Sequence, residues 1–186
     1  MIVTRRKDTQ KTKVLTHRIA DIAGGVSVKT ADLGGNFLRE GAVLSAPVNG
    51  VCNVVKTATV KEAVGATDTQ ITVKKDHNFK AGDFVTADVD GKAVTISAID
   101  NSGRNADVLT IDSAIGAIEA GAMIAEAKST AASGSELKYI PFAVAGSERA
   151  FGHGDTVTVD AWCIAVTKGN NLPSGVAAYL KGVINY

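Results

Sequence analysis

Aromatic residues make up only 5% of this 186-residue chain, and it holds 3 prolines, 3 histidines, 2 cysteines and 2 methionines. Each scarcity closes a class of function. His17, His77 and His153 stand in no HxxxH, HExxH or CxxC context, so no metal-ligand spacing is present, and each reads as a surface or turn histidine. Cys52 and Cys163 lie in apolar, strand-like surroundings and read as buried free thiols rather than as a disulfide. Lys and Arg total 20 against 19 Asp and Glu, a net charge of +1, which gives no electrostatic reason for nucleic acid or an anionic membrane as partner. No apolar run approaches the roughly 18 residues of a membrane span, and the first ten residues, MIVTRRKDTQ, lack the apolar core of a secretory signal. No Asn-x-Ser/Thr site occurs either.

Catalytic signatures are equally thin. There is no G-x-S-x-G elbow, no G-x-G-x-x-G and no GK[ST], and among 19 acids nothing singles out a catalytic pair. Asp88, Asp90 and Asp100 cluster near a turn, but Gly91 falls too early and no bidentate Glu follows, so the EF-hand pattern fails. Trp162, Tyr139, Tyr179 and Tyr186 are spread one to a segment and read as core anchors rather than a stacking surface. The expectation is a chain with no cofactor, no metal and no enzymatic activity.

What is present is β-grammar. Between Asn53 and Ala127 apolar residues alternate with polar ones in short bursts: Ile71 and Val73; Val85, Ala87 and Val89; Val94, Ile96 and Ala98; and Val108 to Ile111. Asp90-Gly91, between strand patterns at 84–89 and 92–99, predicts a two-residue hairpin turn. The segment from His77 to Asp83 reads as a turn in which Phe79 tucks inward and Gly82 reverses the chain, and Ile118-Glu119-Ala120-Gly121-Ala122 echoes it. Upstream, 26–30 and 42–45 read as strands, Asn49-Gly50 as a hairpin turn, and Thr30 to Leu33 as the start of a short helical turn. Residues 128–136 are small and polar and read as a linker. Residues 155–167 begin with alternating Thr and Val and end as the continuous run Ala161, Trp162, Cys163, Ile164, Ala165, Val166, a strand suited to a core or an interface. Residues 176–184 close the chain as a short helix or strand.

Neither flank supplies enough strands for a stable sheet pair alone. The expected fold is therefore mainly β, with a base β-domain built from both ends of the chain (17–55 plus 128–186). A small β-barrel-like or β-sandwich module (56–127) is inserted between them, and residues 1–16 form a flexible basic arm. The mean hydropathy of +0.11 is high for a monomer with so few aromatics, so some apolar surface is expected to face another subunit.

Several phrases resemble a β-module recurrent in tailed-phage virion proteins: Thr69-Gln70-Ile71-Thr72-Val73, the stretch from Asp76 to Val85, Ala93 to Asp100, and Asp107 to Ile111. The flanks, Thr30 to Leu33, Leu38 to Leu44 and Val159-Asp160-Ala161-Trp162, are similar to the ends of head-fibre or capsid-decoration proteins of prophages in gut bacteria. The resemblance implies a non-enzymatic homo-oligomer, trimer favoured over dimer, on the outside of a capsid. It would be made in the host bacterial cytoplasm, with the major capsid protein as partner and neither nucleic acid nor membrane involved. The arm residues Arg5, Arg6 and Lys7 are expected to contact the capsid. Ala161, Trp162, Cys163, Ile164 and Val166 are expected in the core or subunit interface. The alternative expectation is an adhesin whose module binds a host-surface glycan.

Overall fold

The computed structural model describes residues 13–152 and 155–186. Its strands follow in order as β1 (Leu15–Asp21), β2 (Val26–Lys29), β3 (Phe37–Leu38), β4 (Val43–Ser45), β5 (Val51–Cys52), β6 (Val54–Val55), β7 (Thr57–Thr59), β8 (Gln70–Val73) and β9 (Phe84–Thr86). Then come β10 (Ala93–Asp100), β11 (Asp107–Ile111), β12 (Met123–Ala127), β13 (Pro141–Ala145), β14 (Arg149–Ala150), β15 (Thr156–Val159) and β16 (Ala161–Thr167). One turn of helix, α1 (Ser174–Ala177), and β17 (Val183–Asn185) complete the described chain, which is nearly all β.

A first sheet runs β1-β16-β13-β4-β6, with β17 lying parallel on β16. Strands β15-β2-β5 make a small sheet, and Val26, Val28, Leu38, Leu44, Cys52, Ala143, Val159 and Ala161 fill the space between it and the first sheet. A second core, formed by Val43, Val55, Val144, Ala165, Val176 and Leu180, packs α1 and the residues after it against the first sheet. The other large sheet runs β7-β12-β9-β10-β11-β8 around Ile71, Val73, Phe79, Val85, Val94, Ile96, Leu109 and Ile124. Its end strands touch through a single bridge, Val60 to Val73, but the sheet does not close into a barrel. Each fully buried aliphatic side chain in these cores contributes about 1.5–3 kcal/mol.

One turn opens three strands. Before β4, β9 and β12 stands a glycine with positive φ: Gly41 at 80°, Gly82 at 90° and Gly121 at 87°. The residue after each glycine donates its N–H to the carbonyl two residues before it: Ala42 to Arg39, Asp83 to Lys80 and Ala122 to Glu119. Each glycine N–H then donates across the sheet, to Ala145, Ile96 and Val60 respectively, and those residues return an N–H to the carbonyl after the glycine. The sequence echo between Gly82 and Gly121 is thus a shared hydrogen-bond pattern, and Gly41 is its third copy.

Several local expectations are corrected. Asp90-Gly91 is not a two-residue hairpin: β9 ends at Thr86, whose hydroxyl bonds the Asp88 carbonyl, and register resumes at Ala93 opposite Thr86. Residues 87–92 therefore form a longer loop, with Asp90 at φ 65° and its N–H spent on Ser135. The stretch 128–136 is no loose linker, since Ala131 pairs with Ala93 in both directions and Ser135 is buried. Thr30 to Leu33 makes a single turn without becoming a helix. Ala98 is exposed because the β10–β11 register shifts between Ile96 and Ala98. The run 155–167 is two strands that part at Asp160, the alternating half pairing with β2 and the apolar half with β1 and β13.

A Cβ at Gly82 or Gly121 would meet nothing within 4 Å, so only the backbone conformation resists substitution there. Gly82→Ala and Gly121→Ala should each destabilise by about 1 kcal/mol. Gly152→Ala, where no positive φ is imposed, should stay within about 0.5 kcal/mol. Urea midpoints of the three variants check this.

Candidate functional site

The most concentrated polar chemistry lies where the two large sheets meet. Chain continuity puts Lys56 between β6 of the first sheet and β7 of the second. Antiparallel pairing of β7 with β12 sets Ala125 opposite Thr57, and the Glu126 N–H donates to the Lys56 carbonyl at 2.9 Å. The Gly82 turn delivers Asp83 to the same place, and its Oδ2 also accepts the Lys80 N–H at 2.9 Å. Lys56 Nζ lies 2.6 Å from Asp83 Oδ2 and 3.3 Å from Glu126 Oε1. Lys138 Nζ reaches the same Glu126 Oε1 at 2.8 Å from a half-exposed position. Lys56 and Glu126 are each 1% exposed, and Glu126 Oε2 has no hydrogen-bond partner. Two cations and two carboxylates therefore balance in a nearly dry seam. Burial pushes the Lys138 ammonium down, but Glu126 outweighs it and leaves the pKa above the usual lysine value.

A second cluster adjoins it. Asp76 and Asn78 take left-handed backbone angles of 66° and 60°, which are costly without glycine, and they flank the buried His77. The Gly34 N–H bonds the Asn78 carbonyl at 2.8 Å, and a Cβ on Gly34 would overlap the Phe79 carbonyl, so this close approach requires glycine. His77 Nδ1 accepts the Phe79 N–H at 3.0 Å, while Nε2 lies 3.3 Å from Asp107 Oδ2. The other Asp107 oxygen takes the Lys75 ammonium, which also bonds the Asn101 carbonyl. With Nδ1 engaged by a backbone donor, the neutral ring carries its proton on Nε2 and keeps no lone pair free to act as a general base. A cavity of about 160 Å³ opens above this loop, lined by Gly34, Phe37, Lys75, Asn101 and Asp107 among others. Burial lowers the His77 pKa below the ordinary value; Asp107 opposes the shift and Arg39 adds to it.

The other anticipated residues are placed as follows. Arg5, Arg6, Lys7 and His153 lie outside the described residues. Ala161 is buried, Trp162, Cys163 and Val166 are half-buried, and Ile164 is 43% exposed. Trp162 donates Nε1–H to Asp160 at 2.9 Å and lies under the Arg18 guanidinium, 5.7 Å from the ring centre. Cys52 and Cys163 are free thiols, and burial raises the pKa of both, which makes them poor nucleophiles. Among the described residues no group of three His, Cys, Asp or Glu could hold a metal ion. Asp88 instead clasps the start of α1: its Oδ1 accepts the Gly175 N–H at 2.8 Å and its Oδ2 meets the Ser174 hydroxyl. Burial pushes the Asp88 carboxyl up, but these bonds and the Val89 N–H outweigh it, and the pKa falls below the usual value.

Sequence reasoning passed over Lys56, Asp83, Glu126 and Lys138. A signal existed: Lys56 and Glu126 are lone charges of opposite sign inside otherwise uncharged strand-forming runs, Asn53 to Val60 and Met123 to Ala127. No family model, no curated protein and no solved structure matches the chain.

Two titrations follow from these clusters. A lowered His77 pKa means the fold favours the neutral ring, so that stability is whole above the unfolded value near 6.5 and drains as pH falls through the lower folded value. Asp107, Asp76, Arg39 and Lys75 are the charges around it. The urea midpoint should drop as the pH falls below about 6.5, and His77→Gln should flatten that slope. For Asp88 the folded pKa is also depressed, so its contribution is present above about pH 4 and is lost on further acidification. Asp88→Asn should cost about 1 kcal/mol at neutral pH, and the gap from wild type should close in acid.

Proposed function

We propose that the chain is a non-enzymatic virion structural protein, a head fibre or decoration protein that sits on the outside of a phage capsid as a homo-oligomer. The observation that carries this reading is the placement of its exposed large hydrophobics. Ile19 on β1, Phe142 on β13, Ile164 on β16 and Ile184 on β17 all belong to the first sheet, with Ile140 and Tyr186 beside its strands. Ala20 pairs with Ile164 and Val166 with Ile184, so Ile164 and Ile184 stand on neighbouring strands of this sheet. Isolated exposed apolar residues need no explanation, but several gathered on the strands of one sheet suit burial against another subunit. The sequence phrases similar to tailed-phage virion proteins supply the setting. Symmetric copies on a shell would turn weak single contacts into firm attachment by avidity.

The rival reading, a glycan-binding adhesin, rests on the polar concavity at Glu62, Thr67, Asp68, Gln70 and Thr72, which no aromatic lines. Sugar rings favour an aromatic face, so this concavity supports the rival less well. Light scattering of the purified chain should give an oligomer, and co-sedimentation with empty shells of its cognate major capsid protein should be stoichiometric. Ile164→Lys combined with Ile184→Lys should shift the oligomer to monomer while leaving the unfolding midpoint nearly unchanged. A monomeric wild type that ignores shells overturns the proposal, and saturable binding on a glycan array would favour the adhesin.

A further inference from the structure

The geometry points to a covalent cross-link at the seam: we propose that Lys56 Nζ and Asp83 Cγ condense into an intramolecular isopeptide bond, with Glu126 carrying the protons. Three observations converge. The amine and carboxylate already touch, with Nζ 2.6 Å from Oδ2, so Nζ is no more than one C–O bond length further from Cγ. Glu126 Oε1 lies 3.3 Å from the same Nζ, and its Oε2 is buried without a partner, a carboxylate oxygen with capacity to accept a proton. All three side chains are buried, at 1%, 5% and 1% exposure, where water neither shields the amine nor drives hydrolysis of the product.

The step balances without any oxidant, reductant or co-reactant. Lys56 begins as an ammonium and Asp83 as a carboxylate. Glu126 takes one proton from the ammonium, and the freed amine lone pair attacks Cγ. The N–Cγ bond forms, and Oδ2, held by the Lys80 N–H, becomes the amide oxygen. Glu126 passes its proton to Oδ1, takes the second proton from the attacking nitrogen and passes that on as well. The Cγ–Oδ1 bond breaks and one water leaves. Glu126 ends as the carboxylate it was, so it is a catalytic residue that is not consumed.

Charge favours this outcome. Before condensation Glu126 Oε1 is shared between Lys56 and Lys138. Afterwards one neutral amide replaces the most deeply buried ion pair, and Glu126 remains paired with Lys138 at 2.8 Å. Removing two desolvated charges offsets the usual cost of amide formation from acid and amine, and fixed proximity replaces the encounter that free reactants need. The bond would close a loop between positions 27 apart, from the sheet junction to the entry of β9.

Intact-mass spectrometry of the purified full chain tests this directly. The expected wild-type mass is one water below that of the unmodified polypeptide, with a branched Lys56–Asp83 peptide recovered on digestion. Lys56→Arg and Glu126→Gln, each checked for folding by circular dichroism, should show no loss of water. A folded wild type at full mass overturns the proposal, as does a lost water mapping to any other residue pair. A cross-linked Glu126→Gln overturns the role given to Glu126. Since the wild-type mass alone decides whether the bond exists, a variant that fails to fold does not shelter the proposal.

Discussion

Three charges set deep between two sheets, with a fourth half-exposed at their edge, can be accommodated only if every partner arrives. Lys56 comes from the crossing between sheets, Glu126 from β12, Asp83 from the turn before β9 and Lys138 from beyond the second sheet. A buried ion left without its counterpart costs about 3–5 kcal/mol, more than most single core contacts return. A slip of one residue in β7 or β12 would turn Lys56 or Glu126 to the opposite face and strand the rest. Apolar packing tolerates rearrangement; this cluster tolerates little, so it specifies how the two sheets are joined.

Around that junction the cores divide the work. The middle of the first sheet, around β4 and β13, is covered on both faces, by β15-β2-β5 on one side and by α1 and its following residues on the other, while β1, β16 and β17 keep exposed apolar side chains. The apolar half of residues 155–167 is only partly covered: on β16 Ala161 and Ala165 are buried, while Trp162, Cys163 and Val166 are half-buried and Ile164 is 43% exposed. The second sheet curls around its own core, and β10 carries the corner through the register shift after Ile96. Charged loops then lock the pieces, as where Asp88 ties the 87–92 loop to α1.

Much of this was legible from residue order. The period-two alternation of Ile71 with Val73 and of Val94 with Ile96 places those side chains in the core, and Phe79 tucks inward as its turn suggests. Asn49-Gly50 is a tight turn, with both residues at positive φ and Val48 bridged to Val51. Asp90-Gly91 misled because a side-chain bond from Thr86 ended the strand early, an event that no dipeptide preference encodes. The polar seam was hidden for a different reason. Its members are distant in sequence, and a lone lysine in a strand looks the same whether it faces water or a buried carboxylate.

The placement of Thr167 has a mechanical meaning. Leu15 pairs with it on one side and Asn185 on the other, so the first and last strands of the described chain flank the same residue of β16. A pull applied through either strand therefore enters the molecule at one corner of the first sheet. Within the first sheet it passes along β16 to β13, the strand paired with β16 beyond that corner.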